Sequence, residues 1–197
     1  EELFKVLGLC SLAIAVGTLV LLFGALVFQG ITRIDWQFLM SFPSRHAAQA
    51  GILPAWVGST LIMLVTAVVG VPLGVAAAIY LEEYSRRTWM TELIEVTVTN
   101  LAGVPSIIYG LLALGLLVYI LGLGESILVA GLTLALLILP VVIVTTREAI
   151  RAIPVEIREA AYALGATKWQ TVSHHVLPYS SAGILTGIIL ALSRAIG

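Results

Sequence analysis

The sequence predicts an all-α membrane protein: a polytopic helical bundle of about five transmembrane helices, forming one domain over residues 1–197. Composition carries the class. Of 197 residues, 60% are hydrophobic and 11% charged, and mean hydropathy is +1.09; soluble domains are typically about a quarter charged. Such a composition would present water with far too much apolar surface, whereas lipid solvates it. The second observation is spacing. Apolar runs near the roughly 20 residues a helix needs to cross hydrocarbon alternate with short polar stretches.

The first span is expected over Leu7–Phe28. It is too long for a signal-peptide core and has no clear small-x-small cleavage site. The start, Glu1-Glu2, carries no Met, so a trimmed or omitted N-terminus is expected. A polar segment from Gln29 to about Pro54 mixes Arg33, Asp35, Arg45 and His46 with Trp36, Phe38 and Phe42. Aromatics beside polar groups suit a membrane–water interface, and part of this segment can form a short surface helix. The second span, Trp56–Leu81, contains Gly70-Val-Pro72-Leu-Gly74. Small residues four apart allow close helix approach, and Pro72 suggests a kink.

A charged loop, Glu82–Glu92, follows with Glu82, Glu83, Arg86 and Arg87. The third span falls within Ile94–Leu123, longer than one crossing needs. Its Asn100-Leu-Ala-Gly-Val-Pro-Ser-Ile-Ile-Tyr-Gly110 run places Gly103 and Pro105 where regular helix must break. Two arrangements fit: an interfacial helix followed by a span from near Ile107, or a broken helix lining a pathway with Asn100, Ser106 and Tyr109 as polar handles. After a turn at Gly122–Ser126, the fourth span covers Ile127–Val144. The fifth runs from Tyr179 to Gly197, where no capping or turn signal stands, so a longer natural chain is expected.

Loop charges set an orientation. With the N-terminus in the cytoplasm, the inner set is Lys5, Arg86, Arg87, Arg147, Arg151, Arg158 and Lys168, and the outer set is Arg33 and Arg45. That asymmetry fits the positive-inside rule.

The remaining polar interruption, Arg147–Pro178, is read as a cytoplasmic docking loop of two short helices. Pro154 suits a first turn. Ile157, Ala160, Ala161 and Leu164 recur on one helical face, with Glu156, Arg158 and Glu159 largely off it. Gly165 sits at a C-terminal cap position, and Thr167-Lys-Trp-Gln170 fits a capping box. The second helix is expected to end before Pro178. Its amphipathic face suits either lipid headgroups or a partner's groove, and the paired alanines favour the close approach of a partner.

Chemistry within the chain is sparse. Cys10 is the one cysteine, so no intrachain disulfide or cysteine metal cluster can form, and His174 and His175 point roughly 100° apart on a helix. No metal site, cofactor or nucleic-acid partner is expected. The lysines, Lys5 and Lys168, follow Phe4 and Thr167, so no phosphate-cradling Walker loop is present. A membrane enzyme is disfavoured because no nucleophile–base pair stands out. Active transport would require an ATPase on another subunit; a passive channel or an anchoring subunit would not.

Glu159-Ala-Ala161, Gly165 and Leu177-Pro178 resemble the EAA loop of bacterial ABC-importer permeases, with His175 where that family usually has Ile or Val. The Asn100–Gly110 run and Leu192-Ser-Arg-Ala-Ile-Gly197 resemble the PstA-type high-affinity phosphate permeases. Together these motifs cover about Asn100–Gly197. The resemblance implies a type I importer permease core in the bacterial plasma (inner) membrane, with a last family helix beyond this chain. It also implies a homologous PstC-type permease, PstB-type ATPases that use ATP and Mg, and a periplasmic PstS-type phosphate-binding protein. The implied ATPase-docking residues are Glu159, Ala160, Ala161 and Gly165.

Arg194 stands about 24 Å beyond Pro178 along a helix. An arginine at that depth faces protein or water, and guanidinium matches phosphate oxygens. The expected substrate path therefore includes Arg194, Ser193, Ser106 and Asn100. An ion pair with the Glu that follows this motif in the family, or snorkelling to the outer surface, are the alternatives for Arg194.

Overall fold

A computed structural model describes residues 2–46, 49–86 and 88–197 of the chain. Helices account for all regular structure among the described residues. Among the described residues, four helical regions are long and apolar enough to cross a membrane: Glu2–Arg33, Leu53–Tyr84, Ile127–Arg151 and Lys168–Ile196. A bent pair, Trp89–Ala102 with Ser106–Ile120, makes a fifth if it counts as one span. The chain divides into two compact units, residues 1–57 and 58–197.

In the first unit, α1 (Glu2–Gly30) is apolar all round and buries no residue, as expected of a helix whose solvent is lipid. A 3₁₀ turn, Ile31–Arg33, leads to the short α2 (Trp36–Met40). Asp35 caps α2, accepting the Phe38 amide at 2.7 Å. Backbone bonds from Gly51, Ile52 and Leu53 to the carbonyls of Phe42, Phe38 and Ser41 fold the polar segment back on α2. Trp56 Nε1 adds a bond to the Leu39 carbonyl at 3.0 Å. Gly51 is required there, because a Cβ would overlap the Ser41 carbonyl.

The second unit starts within α3 (Leu53–Ile79), which passes through Pro72 without interruption and ends in a π-helical turn, Tyr80–Tyr84. Glu82 and Glu83 thus close a helix instead of opening a loop. The inner basic residue Arg87 lies outside the described residues. Next comes α4 (Trp89–Ala102), with the Thr88 side chain accepting the Thr91 amide. Gly103–Pro105 then breaks the helix, and α5 (Ser106–Ala113) continues as a π-helical segment, Leu114–Ile120. The two legs meet at 102°, so a straight crossing over Ile94–Leu123 is not formed. Pro105 lacks an amide and biases Val104 away from helical backbone, which accounts for the position of the break.

Gly122 and Gly124, both at positive φ, turn the chain into α6 (Ile127–Arg151), where Ser126 caps the helix. This helix is the hub of the unit. Gly70 and Gly74 of α3 press against Ile138 and Val142; a Cβ on Gly74 would lie 2.7 Å from Val142 Cγ1. Further along the same face of α6 come Gly183 and Gly187 of α9 (Leu177–Ile196), against Ala149 and Thr145. Ile138, Val142 and Ala191 form a buried core cluster. Thr66 Oγ1 also reaches the Gly131 carbonyl at 3.1 Å within this interface. The Gly70–Gly74 pair read from the sequence is therefore a packing face, and Gly183–Gly187 is another, as small residues in membrane helices typically are.

Two boundaries differ from expectation. The fourth span does not stop at Val144: α6 runs to Arg151, so Arg147 and Arg151 belong to its last turns and not to a loop. Nor does a helix end before Pro178. Helical backbone continues from α8 (Lys168–Thr171) through a π-helical turn, Val172–Val176, into α9. The Leu177 amide bonds the Val172 carbonyl, five residues back, and this wider turn makes room for the proline that follows.

Candidate functional site

Among the described residues of the second unit, two places gather polar side chains. The first lies where α3, α4 and α6 end or begin and α7 (Val155–Ala163) attaches. Arg147, its side chain 7% exposed, bonds Glu82 through Nε at 3.2 Å. Its Nη2 meets Glu95 of α4 as an ion pair rather than an aligned hydrogen bond. Arg151 Nε lies 2.9 Å from both Glu82 carboxylate oxygens, and its Nη2 reaches toward Glu95 at 3.8 Å. Glu83 receives Arg158 of α7 at 3.0 Å. Guanidinium forks bind carboxylates at two points and stay charged, so three arginines and three glutamates tie four elements together.

This network explains why α6 runs past the apolar stretch. A buried arginine is tolerated because its carboxylate partners are built into neighbouring helices. The sequence alone puts Glu82–Glu92 in a charged loop, Glu95 in the third span and Arg147–Arg158 in the docking loop, with no pairing among them. The available signal was their matched and opposite sign in a chain with so few charges.

The docking element beyond α6 has the expected elbow. Helix α7 ends in a Schellman closure: Gly165 N bonds the Tyr162 carbonyl and Ala166 N the Ala161 carbonyl. Gly165 takes φ +83° with open space around it, a backbone that favours glycine. The Thr167–Gln170 capping box forms in both directions, with Thr167 N to Gln170 Oε1 at 2.8 Å and Gln170 N to Thr167 Oγ1 at 3.3 Å.

The expected single face of α7 splits in two. Ala161 is 4% exposed, and half-buried Ile157 packs against the cluster of Ile150, Ile153 and Val176. Glu159, Ala160, Leu164 and Gly165 are exposed, Leu164 at 90%. The spacing was right, but adjacent alanines lie about 100° apart on a helix, so one seats the helix on its own chain while the other faces out. Ala161 is therefore a packing residue. Arg158, expected off the buried face, instead reaches inward to Glu83.

The second gathering is the break between α4 and α5. Helix ends leave carbonyls open to further partners; besides the Val104 amide that reaches the Leu101 carbonyl, two side chains donate here. Tyr109 Oη donates to the Leu101 carbonyl at 2.9 Å, and Arg194 Nη1 donates to the Ala102 carbonyl at 3.1 Å. Arg194 from α9 is thus brought to the Asn100–Gly110 run, joining two motifs 92 residues apart. Among the described residues no carboxylate pairs with it. Asn100 and Ser106 flank the break and are exposed. Ser193 is exposed too, but its hydroxyl is used within α9, donating to the Leu190 carbonyl at 2.9 Å.

Comparison with known proteins now bears on this arrangement. Residues 70–197, from the packing glycine of α3 to the last residue, match the binding-protein-dependent transport system inner membrane component family. The chain belongs to that family. It is a multi-pass inner-membrane protein of the ABC-transporter permease type, and the PstA resemblance read from its motifs holds across nearly the whole chain. It is 38% identical over 193 residues to the phosphate transport system permease protein PstA of Mycobacterium leprae, covering 95% of this chain and 62% of the relative. With the PstA of Yersinia pestis it shares 39% identity over 181 residues, 87% of this chain and 60% of the relative. A probable ABC transporter permease protein of Bacillus subtilis, YqgI, is 34% identical over 190 residues, 96% of this chain and 64% of the relative. The chain thus spans about three-fifths of the length of these curated relatives.

Proposed function

We propose that the chain is the PstA-type permease subunit of an ATP-driven phosphate importer. One observation carries the reading. An exposed Glu159–Ala160 pair and the Gly165 elbow stand on a short helix that is fastened by the Arg158–Glu83 ion pair and apolar packing to the ends of the spanning helices. Its outward side mixes charge with apolar surface, Glu156, Glu159 and Ala160 beside Val155, Tyr162 and Leu164, which suits a partner's groove. The partner is a PstB-type ATPase that binds ATP and Mg, since this chain has no phosphate-cradling loop. A homologous PstC-type permease completes the pathway, and a PstS-type protein delivers phosphate from outside.

In this reading, closure of the ATPases pushes on α7, and the helices rock to open the central path outward. Arg194, at the α4–α5 break, draws the anion in, with Asn100, Ser106 and Ser193 as polar neighbours. The N-terminus is cytoplasmic, which places α7 on the ATPase side.

The test is reconstitution of the full-length subunit with its partners in lipid vesicles. Phosphate should stimulate ATP hydrolysis and enter the vesicles. Glu159→Lys should abolish ATPase assembly. Assembly and uptake that both survive this change would refute the docking reading; stimulation by another oxyanion alone would refute phosphate.

A further inference from the structure

Both halves of the docking element are fastened to the same five residues. The π-helical turn Tyr80–Tyr84 closes the long helix that begins as α3. Glu83, 7% exposed, takes Arg158 from α7 through Nη2 at 3.0 Å and Nε at 3.1 Å. The adjacent Tyr84 lies under Lys168, the first residue of α8, with Nζ 5.1 Å from the ring centroid. Elements on each side of the Gly165 elbow therefore hold neighbouring residues of one turn. The same guanidinium also donates to the carbonyls of Ile150 and Ile153, each at 3.0 Å, so Arg158 grips the end of α6 as well.

Three physical points argue that this contact does more than hold the helix down. Apolar packing of Ile157 and Ala161 already seats α7 on the chain. A largely buried ion pair adds little net stability over an apolar pair of equal volume; what it adds is direction. A guanidinium fork with three acceptors resists sliding, whereas packed methyl groups permit it. Finally, π-helical turns are rare and concentrate at functional positions. Glu159, the outward residue, and Arg158, the inward one, are adjacent, so a push on the first is delivered to the second.

We propose that the Arg158–Glu83 pair, supported by Lys168 on Tyr84, is the strut that passes displacement of the docking helix to α3. Arg158 and Glu83 are positioning residues for the coupling of ATP hydrolysis to transport. This rests on the docking reading above.

The measurement is phosphate taken up per ATP hydrolysed, by the full-length subunit reconstituted with its ATPase, second permease and binding protein. Arg158→Gln and Glu83→Gln should each lower this ratio about tenfold, the range of an ordinary coupling free energy. The double variant should fall no further, because both changes cut one link. Arg158→Lys, which keeps the charge but loses the fork, should retain more of the ratio than Arg158→Gln. An unchanged ratio in assembled Arg158→Gln complexes overturns the proposal. So does failure of all three single variants to assemble, which would make the pair structural only. A wild-type complex that assembles yet couples no uptake to hydrolysis would refute the transport reading itself, and the strut with it.

Discussion

Replacing Gly74 by alanine tests whether α6 is the hub of the second unit. The added methyl would stand 2.7 Å from Val142 Cγ1 and 2.9 Å from its Cβ, against an ordinary carbon–carbon contact of about 3.5–4.0 Å. Val142 cannot yield. It is fully buried between Ile138 and Ala191, and a β-branched side chain in a helix has one strongly preferred rotamer. The two helices must therefore separate by roughly 1 Å, which costs about 1–3 kcal/mol as overpacking. Gly58→Ala on the same helix is the control, since a Cβ there meets nothing within 4 Å. Both changes remove the same backbone freedom, worth about 0.5–1 kcal/mol in a helix, so their difference isolates the clash. Thermal unfolding of the purified protein should place Gly74→Ala below Gly58→Ala by several degrees, at about 2–4 °C per kcal/mol. Val142→Ala should recover only part of that loss in the Gly74→Ala background, because its Cβ still stands 2.9 Å from the added methyl, and none in the Gly58→Ala one. Equal melting of the two glycine variants would refute the close α3–α6 contact.

Other expectations follow from the ion pairs and caps. Arg147→Ala should destabilise by about 3 kcal/mol in denaturant titration, the low end for a broken buried pair because Arg151 still serves Glu82. Arg151→Ala, at a half-exposed position, should cost at most about 1 kcal/mol. Gly165→Ala forces a side chain into positive φ and should cost about 1–2 kcal/mol; Thr167→Ala should cost about 1 kcal/mol through its lost cap. Both should show first as faster amide exchange at the elbow. Arg194→Gln should leave assembly intact and abolish phosphate uptake, and vesicle uptake with subunit copurification checks the two separately.

Much of the fold was legible because its determinants are local. Hydrocarbon thickness sets span length, so Leu7–Phe28 and Trp56–Leu81 could be placed within a few residues of a turn. Gly103 and Pro105 break helix by their own covalent geometry, and Gly165 with Thr167–Gln170 caps by contacts at short range. What escaped depends on partners distant in sequence. Arg147 ends no helix because Glu82 and Glu95 meet it from 65 and 52 residues away, and periodicity carries no record of such pairs. The split of Ala160 from Ala161 is of the same kind: the spacing named the right positions, but only the seating of α7 on Ile150, Ile153 and Val176 decides which alanine is covered. Arg194 was found from its depth in an apolar span, while its partner, the Ala102 carbonyl, exists only because the helix breaks there.

The central claim is that force from an ATPase enters through the outward side of α7. Single cysteines at positions 160 and 161, in a full-length subunit whose native cysteines, Cys10 included, are replaced by serine, test it most directly. Cross-linking to the ATPase within the assembled complex should be efficient from Ala160→Cys and absent from Ala161→Cys, which the chain itself covers. Cross-linking from neither position, or equally from both, would contradict the account.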